Sequence, residues 1–254
     1  MIQIRKTIEI VKKTHSLFMN EDAAGNFREK GRADYVTEVD TAVQDFLAQE
    51  LYAQYPQVQF MGEEKENSSI DFSKPVWILD PVDGTTNLIH GYHHSAVSLA
   101  YCENGEVKAG IIYQPYTNDV FYAIKGEGAH LNNERIHVSR AKTLDESLIS
   151  IGTSPYNKEW AKKNFPIFEK VFMACQDIRR SGSAALDLAY VACGRLDGFF
   201  ERDLKPWDYA AGVLLVEEAG GHVITYNDGA VSMEKPSDII AGNGYIENEL
   251  RKFL

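Results

Sequence analysis

The run WILDPVDGTTN at residues 77–87 constrains the fold of this chain more than any other stretch. Its apolar first half predicts a short buried strand. Pro81 cannot donate to a hydrogen-bond ladder and is expected to end that strand, and Gly84 allows a sharp turn without a side-chain clash. We therefore expect Asp80 and Asp83 to lie at the solvent-facing rim of a sheet, beside the backbone N–H groups of the turn. Such a place suits both hard cations and a phosphate group.

Composition narrows the classes of protein that the chain can belong to. Its 254 residues can bury a sizeable core, in one large domain or two smaller ones. Asp and Glu number 37 against 26 Lys and Arg, a formal net charge of −11, which argues against a nucleic-acid-binding protein held by phosphate contacts. A polyanionic substrate would need local positive charge, most simply from a bound metal.

The cysteines and the start of the chain indicate the compartment. The three cysteines are far apart and form no C-x-x-C pair, so they predict reduced thiols rather than a zinc site or a disulfide framework. The first residues mix charged and apolar side chains, unlike a signal peptide, and no apolar run reaches the length of a membrane span. We therefore expect a cytoplasmic protein without a membrane partner.

Apolar periodicity predicts the elements of the first half. Residues 4–20 and 41–54 show helical spacing, and the Gly- and charge-rich residues 25–36 between them predict a loop. Alternating apolar residues with turn signals over residues 95–125 predict an antiparallel meander. This half is therefore typical of an α+β structure.

The pattern changes near residue 140. Beyond it, short apolar runs alternate with helical segments, which is typical of an α/β structure. We expect an N-terminal α+β domain over residues 1–140 that carries most of the metal ligands. A C-terminal α/β domain over residues 141–254 would complete the site.

Four acidic residues lie where predicted strands or helices begin or end: Glu63, Asp80, Asp83 and Asp208. Each alone has an ordinary explanation, such as a turn, a solvated loop or a favourable helix dipole. A carboxylate directly after a buried strand is unfavourable unless it is paired, and converging carboxylates repel one another unless a cation neutralises them. Carboxylates and water suit Mg²⁺, and two such ions about 4 Å apart can clamp a phosphoryl group. We therefore interpret the four residues as a Mg²⁺ site.

Two long runs, DPVDGTTN at residues 80–87 and WDYAAG at residues 207–212, resemble the two signatures of the inositol monophosphatase family. Four other runs are similar to the family as well: DYVTEVD at 34–40, GEE at 62–64, SGSAA at 181–185 and LDGFFE at 196–201. The resemblance implies a layered αβαβα sandwich of the sugar-phosphatase type, combining α+β and α/β features and usually found as a homodimer. It also implies a Mg²⁺-dependent phosphomonoesterase that lithium inhibits.

The resemblance assigns metal ligands to matching residues. Glu63, Asp80 and the backbone carbonyl of Val82 would hold a first Mg²⁺. Asp80, Asp83 and Asp208 would hold a second, and Glu63 would also touch a third, weaker ion.

The resemblance also assigns the groups that act on the substrate. Thr85, oriented by Asp40, would help Glu63 to position and deprotonate a metal-bound water, which attacks phosphorus in line without a covalent intermediate. The backbone N–H groups of Gly84 and Thr85 would take phosphate oxygens. The rest of the substrate would be lined by residues from four runs: Asp83, Gly182, Ser183, Ala184, Glu201 and Asp208.

Residues 29–36 resemble the mobile segment of the family, which closes over the site. Lys30 or Arg32 would then approach the phosphate. Arg179 and Arg180, just before the SGSAA run, fit either a phosphate clamp or a structural ion pair.

The sequence also allows other interpretations. Phosphatases of the haloacid dehalogenase type use a strand-end aspartate as nucleophile and need a second aspartate two positions later, whereas Asp83 is three positions after Asp80. His90, His93 and His94 invite a zinc or iron site, but no partner ligands are spaced to match, which favours ordinary packing. A non-catalytic regulatory binding protein with this fold stays open as an alternative.

The substrate is the least determined property. Family members accept inositol phosphates, fructose 1,6-bisphosphate, the 2′-phosphate of NADP, or 3′-phosphoadenosine phosphate. Glu201 favours a hydroxyl-rich ligand because a carboxylate accepts hydroxyl protons and repels a second phosphate. We therefore expect inositol 1-phosphate or a related polyol phosphate, with the other substrates as alternatives.

Overall fold

The computed structural model describes residues 2–31 and 33–254 of the chain. Within these residues the α-helices are α1 Ile4–Lys12, α2 His15–Phe18, α3 Glu21–Gly25, α4 Glu38–Gln54, α5 Thr85–Ile89, α6 Ala161–Ala174, α7 Ala184–Ala192, α8 Pro206–Glu218 and α9 Ile246–Arg251. The strands are β1 Phe27–Gly31, β2 Asp34–Thr37, β3 Gln59–Gly62, β4 Val76–Asp83, β5 Ala96–Glu103, β6 Glu106–Gln114, β7 Asp119–Ile124, β8 Gly128–Leu131, β9 Glu134–Ile136, β10 Leu148–Ile151, β11 Asp177–Arg179, β12 Gly198–Leu204, β13 His222–Thr225 and β14 Ser237–Gly242.

The strands form two large sheets and one hairpin. The first sheet has the order β3-β4-β5-β6-β7-β8-β9 and is antiparallel except for the β3–β4 pair. The second has the order β11-β10-β12-β14-β13, with β10 parallel to both β11 and β12. The strands β1 and β2 pair only with each other. The predicted meander over residues 95–125 is confirmed by β5, β6 and β7, and it continues into β8 and β9, which were not predicted.

Five layers follow from the side-chain alternation of the two sheets. In β4, Trp77 and Leu79 face α1 and α4, whereas Val76 and Ile78 face α7 and α8. In β12, the neighbouring Phe199 and Phe200 likewise separate, toward α7 and α8 on one side and toward α6 and α9 on the other. The order is therefore helix, seven-stranded sheet, helix, five-stranded sheet, helix. The predicted αβαβα sandwich is confirmed.

The middle layer explains why α7 and α8 are almost wholly apolar. Both helices are covered by a sheet on each side, so they show no polar face for most of their length. Gly110 of β6 lies against the backbone of Ala211, and a Cβ added there would be 2.8 Å from the Ala211 carbonyl oxygen. This close approach holds α8 directly on the first sheet. Because one core joins the two sheets through these helices, the division into domains 1–140 and 141–254 stays a prediction.

Several local predictions in the first half are wrong. The helix expected over residues 4–20 is broken near Thr14, whose buried hydroxyl donates to the carbonyl of Val11 at 2.7 Å. The loop expected over residues 25–36 is the β1–β2 hairpin, with Phe27 and Tyr35 packed edge to face. That hairpin is mostly exposed, so it lacks the buried alternation by which a strand is recognised.

Pro81 does not end its strand. The strand β4 runs through it to Asp83, and the register with β5 shifts between Asp80 and Asp83. A bulge of this kind accommodates a residue that cannot donate to the ladder. The consequence is that both aspartates stay within the sheet instead of following it.

Helix α4 begins at Glu38, three residues earlier than expected, because Thr37 caps it. The Thr37 hydroxyl accepts from the N–H groups of Val39 and Asp40, and Asp40 accepts in return from the Thr37 N–H. No helix in the described part of the chain is both long enough and apolar enough to cross a membrane.

Candidate active site

Three aspartates meet between the two sheets. Asp80 and Asp83 come from the bulged end of β4, and Asp208 comes from the first turn of α8. One carboxylate oxygen from each lies within 4.8 Å of the others. Asp80 and Asp83 are only 2% and 7% exposed, so the prediction that they face solvent at a rim is wrong. The middle helices cover this end of β4, which the local sequence does not reveal.

Backbone N–H groups fix the orientation of two of these carboxylates. Asp80 Oδ1 accepts from the N–H of Val82 at 2.9 Å, across the bulge. Asp208 Oδ2 accepts from the N–H of Lys205 at 2.7 Å, at the start of α8. Both bonds are local, so the strand bulge and the helix start each determine where a carboxylate points.

Asp83 is held by the other half of the chain. Its Oδ2 accepts from the N–H of Ala185 at 2.8 Å and from the hydroxyl of Ser183. These donors belong to the start of α7, about a hundred residues later in the chain. The carboxylate therefore ties the first sheet to the middle layer.

The trio is a concentrated negative charge in a buried place. Burial raises the pKa of Asp80 and of Asp208 well above the usual range, and the neighbouring carboxylates raise both further. Burial also raises the pKa of Asp83, although the bonds from Ser183 and α7 oppose it. A divalent cation would remove this repulsion, and close-set carboxylate oxygens are the donors that Mg²⁺ prefers. The residues present therefore fit a metal centre.

Glu63 lies beside the trio and carries an ion pair with the hairpin. It directly follows β3, and its N–H donates to the carbonyl of Leu79 at 3.2 Å. Lys30 of β1 places its Nζ 3.0 Å from Glu63 Oε1 and 2.6 Å from Glu64 Oε1. Burial raises the pKa of Glu63, and the Lys30 ammonium opposes that rise. Burial alone would lower the pKa of Lys30, but the two carboxylates outweigh it and raise it.

Lys30 forms ion pairs with Glu63 and Glu64 at the edge of the cavity. The resemblance implied instead that it would approach the substrate phosphate. Arg32, the other expected cation of this segment, lies outside the described residues.

Thr85 and Asp40 form a hydrogen-bonded pair next to the carboxylates that could hold a metal. The Thr85 hydroxyl lies 3.0 Å from Asp40 Oδ1 and 3.0 Å from the carbonyl oxygen of Val82. Asp40 is fully buried and accepts from the Thr37 N–H at 2.8 Å and from the Thr37 hydroxyl at 2.5 Å. Burial raises the pKa of Asp40 to about 6, against the effect of these hydrogen bonds. Asp40 therefore fixes the Thr85 side chain, as the resemblance implies.

A cavity of about 390 Å³ opens from the aspartates. Its lining includes nearly all of the predicted site residues: Glu63, Asp80, Val82, Asp83, Gly84, Thr85, Gly182, Ser183, Ala184, Glu201 and Asp208. Gly84 directly precedes α5 and has a φ of +93°, a backbone conformation that favours glycine. Asp40 is not in the lining and acts from behind Thr85.

Glu201 lies on the side of the cavity formed by the second sheet. Its Oε1 accepts from the N–H of Ser154 at 2.9 Å. Burial raises the pKa of Glu201 to about 7, opposed by that hydrogen bond and by the charge of Arg180. The raised pKa favours the neutral carboxyl group, and in either form the side chain can accept a hydrogen bond.

The geometry combines a buried carboxylate trio, an anchored hydroxyl and a polar cavity. Over residues 2–253 the chain also matches the inositol monophosphatase family. This protein belongs to that family. The predicted family is confirmed.

Relatives in the family carry two kinds of name. The chain is 40% identical over 225 residues to an inositol-1-monophosphatase of Rhizobium meliloti, covering 89% of this chain and 84% of that protein. It is also 40% identical over 234 residues to the Nus factor SuhB of Xylella fastidiosa, covering 89% of this chain and 83% of that protein.

Solved structures of family members superpose on nearly the whole chain. The extragenic suppressor protein suhB of Bartonella henselae has a TM-score of 0.92 at 36% identity, covering 98% of this chain and 97% of that one. Staphylococcal IMPase-II with inositol monophosphate bound has a TM-score of 0.82 at 27% identity, covering 96% of this chain and 90% of that one.

The structure places Arg179 and Arg180 in different surroundings, which the sequence does not distinguish. Arg179 forms an ion pair with Asp177 at 2.5 Å, away from the cavity. Arg180 lines the cavity, with its Nη2 donating to the Thr153 hydroxyl at 3.0 Å. The alternation of the short strand β11 and the chain after it separates the two side chains.

Tyr156 and Asp187 are among the lining residues that sequence reasoning missed. Tyr156 follows β10 in an irregular loop, where no periodicity indicates its direction. Asp187 lies in the apolar α7, where a lone acidic residue among apolar neighbours was the available signal. Of the three histidines, His93 stacks on Tyr116 at 4.7 Å between ring centroids, and His94 meets Tyr190 edge to face.

Proposed function

We propose that this family member hydrolyses a phosphate monoester with Mg²⁺, by direct in-line attack of water. The observation that carries the proposal is the buried trio of Asp80, Asp83 and Asp208, beside the anchored Thr85 and open to a cavity with substrate-sized volume. Such a charge arrangement is unfavourable in a resting protein unless cations bind there.

Each residue has a defined part in this reaction. Two or three Mg²⁺ ions, held by Glu63, Asp80, Asp83, Asp208 and the Val82 carbonyl, would supply Lewis-acid activation and neutralise phosphoryl charge. Glu63 would accept a proton from the attacking water, whose position the Thr85 hydroxyl would fix, with Asp40 holding that hydroxyl. The new P–O bond forms as the ester P–O bond breaks, and the alkoxide leaves on the opposite side and takes up a proton from solvent water.

The chain also supplies the groups that bind the substrate. Backbone N–H groups of Gly84 and Thr85 would take phosphate oxygens, and Gly182, Ser183 and Ala184 would line the leaving alcohol. Glu201 would hydrogen-bond to its hydroxyl groups.

We favour inositol 1-phosphate or a related polyol phosphate as substrate. The polar cavity around Glu201 supports a hydroxyl-rich alcohol, and staphylococcal IMPase-II has been solved with inositol monophosphate and with 2′AMP. Arg180 on the same wall supports the alternatives with a second anionic group: NADP, fructose 1,6-bisphosphate and 3′-phosphoadenosine phosphate. A turnover panel of inositol 1-phosphate, fructose 1,6-bisphosphate and NADP, with and without Mg²⁺, tests the proposal. Absence of Mg²⁺-dependent phosphate release from all of them would overturn it.

A substitution at Glu201 separates substrate recognition from chemistry. Glu201→Ala is expected to lower kcat/KM for inositol 1-phosphate by about 10- to 100-fold, the worth of a hydrogen bond to a charged group. Turnover of a simple aryl phosphate, which lacks the hydroxyl groups, should fall much less. Equal losses on both substrates would remove Glu201 from substrate recognition.

A second candidate function rests on the relatives named Nus factor SuhB, one of which is 43% identical and comes from Escherichia coli K12. A protein of this kind would act by binding a partner and would not need the metal site. Replacing the E. coli relative with this chain or with its Asp208→Asn variant distinguishes the two functions. Equal restoration of growth by both would favour the binding role.

Further family properties are proposed on the same basis. We expect a homodimer, inhibition by lithium and a cytoplasmic location, the last because Cys102, Cys175 and Cys193 are all free thiols. Sedimentation and a lithium titration of Mg²⁺-dependent turnover test the first two.

A further inference from the structure

Asp187 is a buried acidic residue that the proposed reaction does not use. It lies in the first turns of α7 and is 3% exposed. Its Oδ2 accepts from the Ser181 hydroxyl at 2.8 Å, whereas its Oδ1 has no hydrogen-bond partner among the described residues. A buried carboxyl oxygen without a partner is unfavourable and calls for an explanation beyond helix propensity.

The partner of Asp187 belongs to a tight turn at residues 181–183. The Ser181 hydroxyl also accepts from the N–H of Ser183 at 3.1 Å, which closes the turn around Gly182 at a φ of +90°. The Ser181 carbonyl accepts from Asn87 Nδ2 at 3.0 Å. The turn is thus held from two sides, by Asp187 behind it and by the first half of the chain in front.

The turn leads directly to a proposed metal ligand. The Ser183 hydroxyl donates to Asp83 Oδ2, the same oxygen that accepts from the Ala185 N–H. A continuous path therefore runs from Asp187 through Ser181 and Ser183 to Asp83. Groups that orient metal ligands in this way commonly change metal affinity 10- to 100-fold when they are removed.

The charge state of Asp187 suits this position. Burial raises the pKa of Asp187 to about 8, against the bond from Ser181, and the nearby carboxylates of Glu201 and Asp83 contribute. The raised pKa favours the uncharged carboxyl group, which accepts from Ser181 without adding another full charge to the trio. An ionised group at the same place would work against the binding of substrate phosphate.

We propose that Asp187 is a positioning residue, which fixes the orientation of the Asp83 carboxylate through Ser181 and Ser183. This inference rests on the proposed function, because it assigns Asp187 to the metal centre of that reaction. It adds a residue to the centre that lies outside the DPVDGTTN and WDYAAG runs.

Calorimetric titration of Mg²⁺ into the full chain without substrate tests the inference. Asp187→Ala and Ser181→Ala are each expected to raise the Mg²⁺ dissociation constant about 10-fold. The double variant should be no worse than either single one, because both break the same path. Asp187→Asn keeps an acceptor for Ser181 and should stay within about twofold of the unmodified chain.

Glu247 provides a matched control. It is 1% exposed, lies in the first turn of α9, and accepts from the Gly244 N–H at 3.0 Å, remote from the cavity. Glu247→Ala should lower thermal stability as Asp187→Ala does, yet leave Mg²⁺ affinity unchanged.

The outcomes separate this inference from the proposed function. Unchanged affinity in Asp187→Ala, or additive losses in the double variant, would overturn the positioning role while the hydrolase proposal stands. If Asp187→Ala does not fold, Ser181→Ala decides alone, and normal affinity in it overturns the role. An unmodified chain that binds no Mg²⁺ would overturn both.

Discussion

The two sides of the candidate site are built in different ways. On the core side, Asp80, Asp83 and Asp208 lie on packed elements and are anchored by backbone N–H groups. On the hairpin side, Lys30 reaches Glu63 from β1, a strand that is exposed along its length and pairs only with β2. Backbone anchors preorganise ligands, whereas an ion pair on a thin hairpin is held mainly by charge. Under the proposed function, we therefore expect the core side to determine metal binding and the hairpin side to modulate it.

The most direct test of this difference between the two sides is to remove a charge from the core side. Asp80→Asn keeps an acceptor for Val82 but removes a metal-type ligand, so kcat/KM should fall about 10³-fold, since charge stabilisation of several kcal/mol is lost. The metal-free variant should nevertheless melt at a higher temperature, because it carries one buried carboxylate fewer. Steady-state kinetics and calorimetry measure the two effects.

The exposed Asp177→Asn serves as the control, since Asp177 pairs only with Arg179 outside the cavity. A variant of Asp80 that retained more than a tenth of the activity would show that the trio is not the metal centre.

The pH dependence of stability tests the same difference, because buried carboxyl groups cluster on the core side. Burial raises the pKa of Asp40 to about 6, of Glu201 to about 7 and of Asp187 to about 8. The folded chain then keeps protons that the unfolded chain has released. The contribution of these three groups to the free energy of unfolding is therefore fully present below about pH 4, and it is lost as pH rises through these pKa values. The free energy of unfolding without Mg²⁺ should fall by at least about 1 kcal/mol between pH 5 and pH 8.

Urea unfolding at the two pH values, with and without Mg²⁺, measures this dependence. Saturating Mg²⁺ should flatten it, because bound cations favour the ionised carboxylates. Stability of the metal-free chain that rose with pH would contradict the expected direction.

The smallest effect is expected on the hairpin side. Lys30→Met removes a cation that competes with Mg²⁺ for Glu63, so Mg²⁺ affinity should rise about two- to fivefold, the range expected for one partly exposed ion pair. Lys13→Met is the matched control, because Lys13 pairs with Glu50 on the outer helices at 3.2 Å. A loss of affinity in Lys30→Met would mean that the lysine supports the metal centre instead of competing with it.

The sequence predicted the core side better than the hairpin side, and the physical reason differs for each. Asp80 and Asp83 interrupt an apolar run and Asp208 follows Pro206, so the three acidic residues are visible in the sequence, although β4 does not end at Asp80 as predicted. Strand β1 is exposed along its length, and in β2 only Val36 and Thr37 are buried, so residues 25–36 show no periodicity and resembled a loop.

Other features depend on contacts that no local pattern carries. The continuation of β4 through Pro81 needs the register with β5, and the burial of the two aspartates needs the middle helices. Asp187 is recognised as part of the site only when α7 is packed beside Ser181. The layered order was predictable from the family resemblance and not from periodicity alone.

The middle helix layer has a consequence for synthesis of the chain. Asp83 and its donor Ser183 are 100 residues apart, and Asp208 follows later still. A ribosome extends the chain at about 5–20 residues per second, so the first sheet can form seconds before α7 and α8 emerge. During that interval Asp80 and Asp83 remain hydrated, and their burial waits for the two helices. The aspartate trio is therefore among the last parts of the molecule to be completed.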